Sequence, residues 1–122
     1  MSDKSKKGYR KLFVWQKADD LAYEVYIATK QFPRDEMFGI VSQLRRAALS
    51  IAVNLVEGAG RQNRREIKQF ANISLGSMAE TEYLLAFALR LGYLSDENYS
   101  RLEGKRQEAG NLLQNKHQSK HH

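Results

Sequence analysis

Apolar residues recur every three or four positions through most of the chain, which is the spacing that places them on one side of an α-helix. Four segments with this pattern predict helices at about 13–31, 36–57, 64–91 and 96–115. The chain contains one proline and eight glycines, too few for the closely spaced turns of a multi-strand β fold. The predicted fold class is therefore all-α, with a single helical domain over 12–115.

Residues typical of helix ends flank these segments. The first helix is expected to end at Phe32-Pro33, because the residue before a proline avoids the α region. N-caps are expected at the start of the other three helices, at Asp35, Asn63 and Ser95. Glycines are expected to close the second and third helices, at Gly58 and Gly92. Since the connections are short, neighbouring helices should be antiparallel, which favours an up-down-up-down four-helix bundle.

The second predicted helix carries more apolar surface than a bundle normally buries. Its inner seam alternates steps of four and three residues, through Met37, Val41, Leu44, Ala48, Ile51 and Leu55. A second apolar flank is formed by Leu49, Val53 and Val56. Its polar residues share one narrow stripe, namely Gln43, Arg46, Ser50, Asn54 and Glu57. A helix that is apolar around most of its circumference is buried on most of it, so we expect a homo-oligomer, with a tightly wrapped monomer as the alternative.

Charged residues beside apolar positions predict ion pairs. Arg45 projects toward the apolar flank of the second helix, and Glu80 and Glu82 adjoin apolar positions of the third. A half-buried charge without a partner is costly. We therefore expect Arg45 or Arg46 to pair with one of these glutamates, within or between subunits; the alternative is that all four reach water. These charges and the polar stripe are interpreted as structural or interface positions.

A central motif runs from Ser42 through Ile51 and continues at Asn54, Glu57-Gly58 and Gly60-Arg61. Further segments flank it at Val14 to Ala18, at Phe32-Pro33 with Glu36, at Gly76-Ser77 with Glu80 and Glu82, and at Leu91 to Leu94. In order and spacing, these motifs resemble the four-helix bundle proteins encoded in intervening sequences of bacterial 23S ribosomal RNA genes.

This resemblance implies an antiparallel four-helix bundle and a ring-like homo-oligomer, a pentamer, without catalytic activity. A similar bundle is the accessory variability protein of diversity-generating retroelements, which associates with a reverse transcriptase and with nucleic acid. The segment Ile51 to Glu57 departs from the pattern, because family members often carry proline or alanine at some of these positions. The family name records where the genes were found and does not by itself imply binding to ribosomal RNA.

Charge is the main sign of a partner, since a net charge of +6 favours a polyanion. Basic residues cluster in an N-terminal arm over 1–11, expected to be disordered, and at the start of the third helix. The candidate nucleic-acid-binding residues are Lys6, Lys7, Arg10, Lys11, Arg61, Arg64, Arg65 and Lys68. Free N–H groups at a helix start suit phosphate, and arginine adds bidentate contacts. Without a zinc-finger spacing or a ribonucleoprotein motif, binding to RNA or DNA would be electrostatic rather than base-specific.

The remaining chemistry argues against several classes of protein. The chain has no cysteine, which excludes disulfides and thiolate metal sites and fits a cytoplasmic protein. All histidines, His117, His121 and His122, lie in a tail over 116–122 that is expected to be disordered. The Glu-x-x-His pattern of di-iron bundles is absent, so no catalytic residue, metal or cofactor is expected. No apolar run approaches the roughly 20 residues that span a bilayer, so no membrane association is expected.

Two functional classes follow. The first is a non-enzymatic, basic homo-oligomeric scaffold that binds RNA or DNA through the phosphate backbone. The second is an adaptor that docks a partner protein on the ring and binds no nucleic acid. Salt separates them, because electrostatic binding weakens steeply as salt rises, whereas docking through apolar anchors does not.

Overall fold

The computed structural model describes residues 8–119, with side chains at 8–9 and 12–115, and the regular structure of this part of the chain is entirely helical. It contains four α-helices, α1 Phe13–Thr29, α2 Ser42–Ala59, α3 Arg64–Arg90 and α4 Asp96–Ser119. Shorter turns precede α1 and α2: 3-10 turns at Gly8–Lys11 and Arg34–Glu36, and a π-helical turn at Met37–Val41. None of the described helices is long and apolar enough to cross a membrane.

The four helices enclose one apolar core. Each helix packs against the next along the chain, and α1 also packs against α4. Every helix contributes large side chains that are fully buried, among them Leu21, Leu44, Ile51, Leu85, Leu102 and Leu113. Burial of one such side chain contributes about 1.5–3 kcal/mol. The inner face predicted for the first helix is confirmed, since Ala18, Leu21, Ala22, Val25 and Thr29 are all buried.

The contact between α2 and α3 is close because a glycine lies within it. A Cβ added to Gly58 would stand 3.2 Å from the Cβ of Phe70. The prediction that Gly58 closes the second helix is therefore wrong: α2 continues to Ala59, and Gly60 follows it as the C-cap. The absence of a side chain at Gly58 serves the approach of α3 rather than the end of α2.

Polar side chains along the same contact have hydrogen-bond partners. Ser74 is fully buried and donates to the backbone carbonyl of Ile51 at 3.0 Å. The hydroxyls of Ser77 and Ser50 are 2.9 Å apart, and the Asn54 amide donates to the carbonyl and hydroxyl of Ser50 at 2.8 and 3.0 Å. Since polar groups covered by a neighbouring helix require partners, Ser50 and Asn54 of the predicted polar stripe have a structural role in this chain.

The contact between α1 and α4 is reinforced by ion pairs instead. The pairs are Lys17 with Glu108 at 3.3 Å, Asp20 with Lys105 at 2.7 Å, and Glu24 with Arg101. The hydrogen bond from Lys105 to Asp20 raises the pKa of the lysine. All three pairs are partly exposed, so each contributes at most about 1 kcal/mol at low salt.

Side chains cap α3 and α4 as predicted. The side-chain oxygen of Asn63 accepts from the backbone N–H groups of Arg65 at 2.8 Å and Glu66 at 3.3 Å. The hydroxyl of Ser95 accepts from the N–H of Asn98 at 3.0 Å. Each cap satisfies N–H groups that have no partner within the helix.

Gly92 closes α3, also as predicted. Its φ of 79° lies in the left-handed region, which glycine adopts without steric cost. The N–H of Tyr93 reaches back to the carbonyl of Ala88 at 3.0 Å, and the N–H of Gly92 bonds the carbonyl of Leu89 at 3.0 Å. This pair of bonds is the Schellman motif.

The start of the second helix differs from the prediction. The pattern predicts one helix over 36–57 capped by Asp35, but α2 begins only after the π-helical turn, and Asp35 lies in a 3-10 turn. The backbone leaves helical geometry at Gly39, where φ is −111° and ψ is −118°. A Cβ at Gly39 would lie 2.7 Å from Oε1 of Glu36. Because of this break Met37, which its spacing places in the buried seam, is 46% exposed.

Helical structure extends further toward both termini than predicted. The sequence places 1–11 in a disordered arm, but Gly8–Lys11 form a 3-10 turn. The ring of Tyr9 meets that of Trp15 edge-on, with centroids 4.9 Å apart, and this contact anchors the turn to α1. At the other end, α4 continues to Ser119 rather than ending at about 115.

Candidate nucleic-acid interface

Four cationic side chains gather around the start of α3. This group, which we call the basic patch, comprises Arg61, Arg64, Arg65 and Lys68, all of them exposed. The loop after α2 carries the first, and the opening turns of α3 carry the others. Arg64, Arg65 and Lys68 form no ion pair with any residue between 12 and 115. Half of the predicted nucleic-acid-binding residues are thus brought to one end of the bundle.

Arg61 differs from the other three because it already has partners. One of its terminal nitrogens lies 3.2 Å from Oε1 of Glu57, and its guanidinium lies 5.2 Å from the ring centroid of Phe70. Both members of the ion pair are about half exposed. A guanidinium has five N–H donors, so one contact with Glu57 fixes the orientation of Arg61 and leaves donors that could bind phosphate.

The backbone of α3 offers less to an anion than the sequence suggests. Asn63 occupies the N–H groups of Arg65 and Glu66, so the expectation of free donors is wrong for these two. Glu66 also places a negative charge in the first turn. A phosphate at this end of the bundle would therefore be held chiefly by side chains.

The other predicted nucleic-acid-binding residues belong to the N-terminal arm. Lys6 and Lys7 lie outside the described residues. Arg10 and Lys11 belong to the 3-10 turn that precedes α1, but their side chains lie outside what the structure describes. Their backbone nevertheless lies at the same end of the bundle as the basic patch, because the preceding residues Gly8 and Tyr9 line a groove that Arg61 and Lys68 also line.

This apolar groove, which we call the end groove, has a volume of about 770 Å³. It lies where the N-terminal 3-10 turn, the end of α2, the start of α3 and α4 meet. Its apolar lining includes Leu12, Leu55, Val56, Ile67 and Leu113, and Arg61 and Lys68 of the basic patch line it too. This groove was not predicted from the sequence. The signal that could have indicated it is the run of small residues 58–60 after an apolar helix, since small side chains leave space.

The ion pair predicted for Arg45 is wrong within this chain. Its Nε donates to the hydroxyl of Thr29 at 2.8 Å, and a terminal nitrogen donates to the carbonyl of Tyr26 at 3.4 Å. Its guanidinium also lies 4.7 Å from the centroid of the Tyr26 ring. Arg45 therefore stabilises the C-terminal end of α1, where carbonyl groups and the negative end of the helix dipole favour a cation.

The glutamates predicted to pair with arginines of α2 have different surroundings. Glu82 lies 3.7 Å from Arg106, which is itself held by two hydrogen bonds to Glu103 at 2.8 and 2.7 Å. These bonds raise the pKa of Arg106 despite its burial. Arg46 and Glu80 are exposed, and no ion pair joins either of them to a side chain between 12 and 115.

Four helices around one core, with cations gathered at one end, define an all-α four-helix protein with a basic pole. Within the described ranges, no group of His, Asp or Glu side chains is placed to hold a metal ion. The family model described as 23S rRNA-intervening sequence protein matches residues 10–115, and the chain belongs to this family. The family resemblance of the sequence motifs is thereby confirmed.

A protein of known structure has the same fold. It is a protein from Bacteroides thetaiotaomicron, described as having unknown function and as belonging to the S23 ribosomal protein family. It aligns with a TM-score of 0.79 and 25% identity, over 86% of this chain and 95% of that one. No curated protein matches the chain significantly.

Proposed function

We propose that this protein is a non-enzymatic homo-oligomeric scaffold, a pentameric ring of antiparallel up-down-up-down bundles, that binds RNA or DNA through its phosphates. The basic patch carries the proposal. Arg64, Arg65 and Lys68 are exposed at one end of the bundle and form no ion pair with a described side chain. Exposed cations of this kind bind backbone phosphate, and contacts to phosphate carry no base-sequence information.

The outer surface of α2 and α3 supports self-association. Leu49 and Val53 of the predicted second flank are 43% and 45% exposed, and Ile73 of α3 is 46% exposed. Apolar side chains at neighbouring positions of packed helices favour contact with another protein surface. The ion pairs between α1 and α4 support the antiparallel arrangement. As the residue number rises along α1, that of the partner on α4 falls: Lys17 pairs with Glu108, Asp20 with Lys105 and Glu24 with Arg101.

A ring would multiply the electrostatic field of one chain. With a charge of +6 on each copy, five copies carry roughly +30. Copies of the basic patch would recur around one rim, and a nucleic acid could cross several of them. Each phosphate that a patch neutralises would release a counterion. The affinity of such a complex depends steeply on salt.

Light scattering of the particle with and without RNA, at low and moderate salt, tests this proposal. We expect a mass of about five subunits that increases with RNA at low salt only. The variant Arg64→Gln/Arg65→Gln should bind more weakly at low salt and with a salt dependence reduced by about one unit per lost phosphate contact. The matched control, Lys30→Gln/Arg34→Gln, removes two exposed cations from the other end of the bundle and should bind as the unmodified protein does. Equal loss in both variants would contradict a role for the basic patch.

The alternative function is docking of a partner protein, which the exposed face of α1 favours. Tyr23, Tyr26 and Ile27 are 63%, 37% and 40% exposed on this face. Tyrosine supplies a large apolar contact with a polar tip, as protein interfaces often require. On the resemblance to the accessory variability proteins, the partner would be a reverse transcriptase. Particles that ignore RNA at every salt concentration, yet lose partner binding on Tyr23→Ala, would favour this alternative.

A further inference from the structure

A short segment between α1 and α2 presents an apolar side chain directly to solvent. We call Asp35–Phe38 the tip. Phe38 is 95% exposed and Met37 is 46% exposed. Asp35 is exposed beside them. An aromatic side chain left in water gains the most from a pocket that would cover it, and such residues are typical anchors of protein contacts.

The backbone that presents Phe38 is held in place. The N–H of Glu36 donates to the carbonyl of Pro33 at 3.0 Å, and the hydroxyl of Tyr93 donates to Oε2 of Glu36 at 2.7 Å. The hydroxyl of Ser42 donates to the carbonyl of Gly39 at 3.1 Å. These bonds fix the tip on both sides of Phe38. A pre-ordered anchor loses little conformational entropy on binding.

The end groove complements the tip in polarity and charge. The groove is lined mainly by aliphatic side chains and carries Arg61 and Lys68, whereas the tip combines Met37 and Phe38 with the carboxylate of Asp35. The groove and the tip of one chain lie at opposite ends of α2. The 17 or so positions between them correspond to about 25 Å along a helix. The tip therefore cannot occupy the groove of its own chain.

The first seven residues of the chain do not match the groove chemically. They include Lys4, Lys6 and Lys7, and their only apolar side chain is that of Met1. A cationic segment is repelled by Arg61 and Lys68. An occupant with the right chemistry is acidic and apolar, and the tip is a segment of this chain with that composition.

We propose that the tip of one copy docks in the end groove of the next copy, with Phe38 among the aliphatic side chains and Asp35 facing Lys68. In this arrangement Lys68 serves the contact between copies, and Arg64 and Arg65, which do not line the groove, stay available to phosphate. This inference rests on the proposed self-association and adds a second contact to the one that the outer surface of α2 and α3 supports. The contact is heterologous, since it joins two different surfaces of the same chain. Repetition of such a contact produces a ring when the rotation between copies closes.

The variant Phe38→Ala tests the docking by native mass at several protein concentrations. Because Phe38 is almost fully exposed, the fold should be unaffected, and the concentration for half-assembly should rise by roughly tenfold or more. The control Tyr83→Ala removes another aromatic ring, 65% exposed on α3, and should assemble normally. Unchanged assembly of Phe38→Ala would overturn the docking and leave self-association in place; the tip would then serve a different partner. An unmodified protein that is monomeric at all concentrations would overturn self-association itself.

A charge exchange and a cross-link test whether the end groove is the surface that binds the tip. Asp35→Lys and Lys68→Glu should each weaken assembly, and the double variant should restore it. Since the chain has no cysteine, Met37→Cys with Val56→Cys should form a disulfide between chains on oxidation. Met37→Cys with Asn72→Cys, which places the second thiol at an exposed position of α3, is the control. No charge rescue, or equal cross-linking in both double-cysteine variants, would overturn the groove as the site.

Discussion

Gly104→Ala and Gly58→Ala form a matched pair that tests the close contact between α2 and α3. Both glycines lie within helices, at Gly104 in α4 and Gly58 in α2. An added Cβ at Gly104 meets nothing within 4 Å, whereas at Gly58 it would stand 3.2 Å from the Cβ of Phe70. The helix-propensity gain of glycine to alanine is about 1 kcal/mol in a helix interior, as at Gly104, and no larger at Gly58, the last residue but one of α2. Only Gly58→Ala adds a steric cost, which for overpacking is about 1–3 kcal/mol.

We therefore expect Gly104→Ala to stabilise the protein by about 1 kcal/mol, which raises the melting temperature by about 4 °C for a chain of this size. Gly58→Ala should range from neutral to about 2 kcal/mol destabilising. Urea denaturation followed by far-UV circular dichroism measures both, at two protein concentrations to separate folding from assembly. If Gly58→Ala stabilised the protein as much as Gly104→Ala does, the close approach of α2 and α3 would be refuted.

Two further predictions concern hydrogen bonds. Ser74→Ala should lower the free energy of unfolding by about 1 kcal/mol, because the carbonyl of Ile51 loses its buried donor. Ser74→Thr keeps the hydroxyl donor but has a larger side chain than serine. Full stability of the threonine variant would contradict the tight packing at this position. The hydrogen bond to Glu36 raises the pKa of Tyr93. The bond therefore stabilises the folded protein below the ordinary tyrosine pKa of about 10, and this stabilisation is lost as the pH rises through the raised pKa. Spectroscopic titration should show one tyrosine that ionises at a higher pH than the others and that is missing in Tyr93→Phe. Titration curves of the same shape for both proteins would contradict the raised pKa of Tyr93.

The helices could be predicted from the sequence because they depend on local spacing. The inner face of α1, the Asn63 and Ser95 caps and the left-handed Gly92 all follow from residues within one or two turns of each other. Such features require no knowledge of which helix lies beside which.

The features that were missed depend on residues far apart in the chain. The break at Gly39 involves Glu36, whose carboxylate is held by Tyr93, 57 positions away. The partner of Arg45 is the end of α1, 16 positions earlier, and not the glutamates of α3. Spacing identifies Arg45 as a charge that needs a partner, but only the packing of helices decides which group supplies it.

The candidate site was predicted only in part, because some of its features are local in the sequence and others join distant residues. Charge counting located Arg61, Arg64 and Arg65, because clustered cations are visible in any sequence. The end groove was not visible, since its lining comes from four separate elements of the fold. The cap at Asn63 was predicted, yet its effect on the site was not: it withdraws the N–H donors that a bare helix end would offer.

The two long sides of the bundle are held by forces that respond differently to the surroundings. Small residues and buried hydroxyls join α2 to α3, whereas exposed ion pairs add to the packing of α4 on α1. Dissolved ions screen the second kind of contact and leave the first almost untouched. Raising the ionic strength should therefore weaken the contact between α1 and α4, by at most about 1 kcal/mol per ion pair, more than the contact between α2 and α3.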